Sequence, residues 1–64
     1  MNEQPIAISV HEAAHRLGLG YVKTYELVSA GELRSIKVGT RRLVPVRSLY
    51  EFVERKLAEQ ADEA

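Results

Sequence analysis

Two glycine breaks constrain this chain more than any other feature. Gly18 and Gly20 interrupt its apolar periodicity early, and Gly31 interrupts it again. Glycine supplies the left-handed backbone angles found at helix ends, so the segments between the breaks read as short helices. Before the first break, Ser9 is a candidate helix N-cap. Glu12 follows three residues later, as in the Ser-x-x-Glu capping box. Ala13, Ala14 and Leu17 continue at helical spacing, and the small alanines permit close approach of a second helix. That second helix fits residues 21–30, with Gly31 as its C-terminal stop. Thr24, Leu27 and Val28 share one of its faces, leaving Tyr21, Val22, Lys23 and Glu26 to face outward. Two short helices joined by a glycine-containing turn match the helix-turn-helix pattern.

Upstream, Ile6, Ile8 and Val10 alternate, which predicts a short strand or extended segment. Downstream, Leu33 to Val38 alternates at period two, Gly39-Thr40 signals a turn, and Arg42 to Val46 reads as the returning strand. Pro45 marks the edge or end of that strand, because it cannot donate to the ladder. A third helix is predicted from about Ser48 to Glu59, with Leu49, Phe52, Val53 and Leu57 as its apolar stripe. The order is a short strand, two helices, a basic hairpin and a C-terminal helix. It predicts a small α+β winged helix-turn-helix. The expected core is Ile8, Ala13, Ala14, Leu17, Leu27, Val28, Leu33, Ile36, Leu43, Leu49, Phe52 and Val53. Residues 1–5 read as a flexible leader, 6–59 as the domain and 60–64 as an acidic tail.

With 64 residues and no cysteine, there is room for one small domain without disulfides or thiolate metal sites. Size nearly excludes a stand-alone multi-substrate enzyme. No apolar run approaches bilayer-spanning length, and the N-terminus lacks a signal-peptide pattern, so a cytoplasmic chain is expected. Nine basic and nine acidic residues cancel formally. Their placement does not. Residues 16–47 carry Arg16, Lys23, Arg34, Lys37, Arg41, Arg42 and Arg47 against Glu26 and Glu32, a net of +5. From Leu33 to Arg47 no acid occurs. Segregated charge of this kind points to an anion-binding surface, and nucleic acid is the commonest large anion.

Six pieces of the chain together carry a family likeness: Ser9-Val-His-Glu-Ala-Ala14, Leu17-Gly-Leu19, Tyr25-Glu-Leu-Val28, Gly31-Glu-Leu33, Ile36-Lys-Val-Gly39 and Arg42-Leu-Val-Pro45. In this order and spacing they resemble the excisionase-like winged-helix family, relatives of the MerR-type DNA-binding domains. The resemblance covers about residues 8–56. It implies that residues 21–30 form a recognition helix for the major groove of double-stranded DNA, with Tyr21, Val22, Lys23, Thr24, Tyr25 and Glu26 at the contact. It also implies a wing over residues 36–44 that reaches the adjacent minor groove, with Gly39, Thr40 and Arg41 at its tip. Bare domains of this size resemble phage or integrative-element excisionases, also called recombination directionality factors. Such proteins bind repeated sites near an attachment site, bend DNA and recruit an integrase, without bond chemistry or a cofactor of their own. The resemblance therefore implies action on the nucleoid of a bacterial host. The chain departs from the family where a Ser or Thr followed by Arg usually opens the second helix, having Gly20 and Tyr21 instead. Thr24 stands where an apolar residue is usual.

Residue by residue, Lys23 suits a phosphate or a guanine edge. Thr24 and Tyr25 hydroxyls suit phosphates if they reach the surface, and a core aromatic is the competing reading of Tyr25. Glu26 suits a cytosine amine or simply a solvated face. The stronger signal is the cluster Arg34, Lys37, Arg41 and Arg42 on a hairpin with no compensating acid. Arg41 at the tip suits a narrow minor groove, while Lys37 and Arg42 suit phosphates. His11-Glu12-Ala-Ala-His15 matches the zinc-protease pattern. That chemistry also needs a third ligand and a substrate cleft. Nothing specifies either, and Glu12, Ala13 and Ala14 have structural uses. No catalytic or metal site is expected.

Three functions remain in view. An excisionase would bind several sites cooperatively, with head-to-tail self-association on DNA through the acidic C-terminus. A small transcriptional regulator would bind an isolated operator. A protein-interaction adaptor would bind no DNA at moderate salt. Lacking cysteines and a long heptad pattern, the chain is expected to be a monomer in free solution.

Overall fold

A computed structural model describes residues 5–61. Most of the expected leader (1–4) and the acids of the expected tail (62–64) lie outside the described residues. The elements are β1 (Ala7–Ser9), α1 (Val10–Leu17), α2 (Tyr21–Ser29), β2 (Ile36–Val38), β3 (Arg41–Pro45) and α3 (Val46–Ala61). The strands form one antiparallel sheet in the order β1-β3-β2. This is the expected α+β winged helix-turn-helix, with β2 and β3 as the wing.

Ser9 ends β1 and caps α1. Its side chain accepts from the Glu12 backbone N–H at 3.1 Å, which satisfies a donor that the first turn leaves open. The reciprocal half of the capping box is replaced, because the Glu12 carboxylate instead pairs with Arg16 at 3.0 Å. Both helices of the helix-turn-helix end at a left-handed glycine. At Gly18 (φ 75°), the N–H of Leu19 reaches the carbonyl of Ala14 at 2.9 Å. At Gly31 (φ 80°), the N–H of Glu32 reaches the carbonyl of Leu27 at 2.9 Å. Each closure turns the chain sharply and satisfies a terminal carbonyl.

The core gathers Ile8, Val10, Ala13, Leu27, Val28, Leu33, Val44, Leu49 and Phe52, with Leu17 and Val46 packed against it. Leu33 and Val44 are fully enclosed. Three expected core residues are corrected. Ile36 is 47% exposed, Val53 is 43% exposed and Leu43 is only half-buried. The register explains the sheet residues. Ile8 pairs with Val44, whereas Leu43 pairs with Ile36, one residue out of phase and therefore on the opposite face. Val53 lies on the outer flank of α3, which begins two residues earlier and ends two later than its apolar stripe predicts.

Leu33→Ala is expected to cost about 2–5 kcal/mol, because it hollows a fully packed site. Leu57→Ala, at an exposed position, should cost under about 0.5 kcal/mol. Urea unfolding of the two variants measures both. Equal destabilisation would contradict this core.

Candidate nucleic-acid interface

The surface of α2 is set by which of its faces is buried. Thr24, Leu27 and Val28 face the core. Tyr21, Val22, Lys23, Tyr25 and Glu26 are all exposed, Val22 by 70%. Thr24 is corrected out of the expected contact set. Its side chain is fully buried, and its hydroxyl donates to the Gly20 carbonyl at 2.9 Å. The hydroxyl is thereby satisfied within its own helix, which is how a threonine occupies an otherwise apolar slot. Gly20 caps the helix through backbone geometry alone, with no side-chain hydrogen bond. Tyr25 is 46% exposed, so its ring belongs to the surface rather than the core.

The wing is a two-residue hairpin. Val38 pairs with Arg41 across the Gly39-Thr40 loop. Gly39 takes φ 62°, and among the described residues no other amino acid than glycine has positive φ. A glycine at the first loop position followed by a residue of negative φ fits the type II′ hairpin turn. Arg34, Lys37, Gly39, Thr40, Arg41 and Arg42 are all exposed. Lys37 lies directly opposite Arg42 in the ladder. Two like charges at that position destabilise a sheet. Arg34 lies just before β2, outside the strand that the sequence pattern extends back to Leu33.

Ion pairing divides the cations into two sets. Arg16 pairs with Glu12, Arg55 with Glu59, and Lys56 with Glu32 at 3.2 Å and Glu59 at 3.4 Å. Hydrogen bonding to Glu32 first, and then to Glu59, raises the Lys56 ammonium above its ordinary lysine pKa. Among the described residues, Lys23, Arg34, Lys37, Arg41, Arg42 and Arg47 form no ion pair. Arg42 makes one long hydrogen bond, from Nη1 to Ser35 Oγ at 3.4 Å. These unpaired cations all lie from the first turn of α2 to the first turn of α3.

Two residues of this region escape sequence reasoning. Arg47 lies in the first turn of α3 and lines a groove with Arg34, Ile36, Pro45, Ser48 and Glu51. The sequence pattern starts the third helix only at about Ser48, and the tertiary fold alone brings Arg47 to Arg34. His11 stacks on Tyr21, ring centroids 4.1 Å apart and planes 20° from parallel. The zinc-protease spacing around His11 thus breaks up into a stacked ring at His11 and an ion pair at Glu12.

The helix-turn-helix domain family matches residues 8–57. A probable excisionase from Saccharopolyspora erythraea is 39% identical over 56 residues, which are 88% of this chain and 57% of that protein. An excisionase from Streptomyces ambofaciens is 34% identical over 55 residues, 86% of this chain and 89% of that protein. The chain therefore spans little more than half the length of the first relative. No solved structure matches it.

Lys37→Thr removes one member of the opposed cation pair. It should raise stability by up to about 0.5 kcal/mol at low salt. The gain should fade in about 1 M salt, where charges are screened beyond about 3 Å. Thermal unfolding at both salt concentrations checks this, and a loss of stability at low salt would contradict it.

Proposed function

The chain belongs to the excisionase-like helix-turn-helix family, and on that premise we propose that it is a sequence-specific DNA-binding excisionase. It binds repeated sites near an attachment site, bends the duplex and helps an integrase excise a phage or mobile element. It performs no bond chemistry itself. The single observation that carries this reading is the run of unpaired cations from Lys23 to Arg47, centred on a hairpin that tolerates Lys37 opposite Arg42. A repulsion kept in a small sheet is relieved when an anion lies over it.

In this mechanism α2 enters the major groove, presenting Tyr21, Val22, Lys23, Tyr25 and Glu26. The wing lies along the neighbouring minor groove. Arg41 follows the narrow groove, and Arg34, Lys37 and Arg42 neutralise phosphates, with the Gly39-Thr40 turn allowing close approach. The protein is a monomer in free solution and acts in the bacterial cytoplasm, on the nucleoid. Copies on adjacent sites associate head to tail, acidic C-terminal residues against the neighbour's wing.

Footprinting across a salt series, on a fragment spanning the attachment site and nearby promoter, tests this. Several evenly spaced, cooperatively filled sites are expected. The affinity should fall with a log–log slope of about −4 to −5, for four to six neutralised phosphates. Arg42→Ala should reduce that slope by about 1. One isolated operator would assign a transcriptional regulator instead. Absence of protection at low salt would leave an adaptor whose wing serves a protein.

A further inference from the structure

The exposed face of α2 is unusual for a helix that is to read DNA, because it is more aromatic than charged. Tyr21 and Tyr25 lie one turn apart, with ring centroids 5.9 Å apart and planes tilted by 36°. Val22 is exposed beside them, and Lys23 and Glu26 cancel in charge. Neither tyrosine hydroxyl makes a side-chain hydrogen bond among the described residues. Behind this pair stands His11, whose imidazole lies nearly parallel to the Tyr21 ring. The three rings form one continuous ladder from the first turn of α1 across to α2. Lone exposed tyrosines sample several rotamers. A ring held on one face by a stacked neighbour, and flanked on its own helix by a second ring, samples fewer.

We propose that His11 is a positioning residue for base recognition, and that the Tyr21–Tyr25 edge it holds selects thymine. This rests on the reading that α2 enters the major groove. Among the features on that groove's floor, the thymine C5-methyl is the apolar one, whereas guanine offers acceptors that call for arginine or lysine. The α2 face offers two rings and a valine, with Lys23 as its only cation. It therefore matches a methyl-bearing step under the N-terminal half of the helix. His11 acts through Tyr21 by stacking. An aromatic ring of similar shape without the imidazole nitrogens should serve in its place.

Selection of binding duplexes from a randomised library, using the full chain, supplies the probe. Each thymine of the selected duplex is then replaced by uracil, which removes only the methyl group. With the unmodified protein, at least one such replacement should weaken binding about three- to tenfold, the scale of one aromatic contact. That penalty should shrink toward none in His11→Ala and in Tyr21→Ala, and persist in His11→Phe. Tyr21→Ala should keep the salt slope, since it removes no cation. Thermal unfolding identifies a variant that has lost its fold, and Tyr21→Ala gives an independent route to the same readout. A full uracil penalty in both alanine variants would overturn the proposal, as would a selected site in which no thymine methyl matters. Both results leave DNA binding intact. Failure to select any duplex would instead overturn the DNA-binding reading, and this inference with it.

Discussion

The backbone ladder of β3 is the constraint on which the rest of this small domain depends. Among the described residues it is the only strand with neighbours on both edges, β1 on one side and β2 on the other. Its attachments leave little slack. β1 ends at Ser9, the residue that caps α1, and β3 ends at Pro45, the residue before α3. The N–H of Val46 donates to the carbonyl of Ile6 at 2.8 Å, binding the start of α3 to the residue just before β1. A one-residue slip of β3 would therefore turn Val44 outward and move two helices together. The wing shares this strand, so its position relative to α1 and α3 is fixed by backbone hydrogen bonds rather than by side-chain contacts alone.

Charge follows the same division. A zero formal net charge conceals a separation between cations with a structural partner and cations without one. On α3, Lys56 meets Glu32 and Glu59, and Arg55 donates to the Glu32 carbonyl. Both also lie over the Phe52 ring, 5.7 Å from its centroid. These contacts tie α3 to the loop after α2. Because all are partly exposed, each contributes little to stability. Their effect is to leave the wing as the cationic surface without acids. The positive field is thus local, although the whole chain is neutral, and local field governs the encounter with an anionic partner at distances near the Debye length of about 8–10 Å.

Much of this arrangement is legible in the sequence, because short-range chemistry fixes it. Ser9 with Glu12, the glycines after each helix and the Gly39-Thr40 turn each specify one backbone conformation within a few residues. Phase and reach are harder to read. Period-two alternation says that Leu43 and Val44 face opposite ways, but only pairing of Val44 with Ile8 says which is inside. Apolar spacing along α3 marks Val53 and Leu57 as well as Leu49 and Phe52. Only Leu49 and Phe52 meet the core, whereas Val53 turns to the outer flank and Leu57 is exposed further along the 16-residue helix. The candidate site divides in the same way. The wing cations follow directly from charge segregation. Burial of the Thr24 hydroxyl against the Gly20 carbonyl is a local contact, but it becomes decisive only once the α2 face is packed. His11 is unreadable because its partner, Tyr21, lies across the helix-turn-helix turn.

If α2 and the wing contact DNA as proposed, affinity and selectivity are separable in this molecule. The wing brings charge, as exposed arginine and lysine side chains on a short hairpin. The α2 face brings shape with almost no net charge, held by Thr24 from below and by His11 from the side. A domain of 64 residues has too little core to reorganise on binding without losing much of its stability. A recognition surface on such a domain is best preorganised, and on the proposed reading the ring ladder and buried hydroxyl supply that order without enlarging the core. Each neutralised phosphate adds affinity whatever the sequence. On the proposed reading, discrimination between sites comes from the aromatic face of α2 and from how readily the duplex adjusts to a wing whose position the β3 ladder has already set.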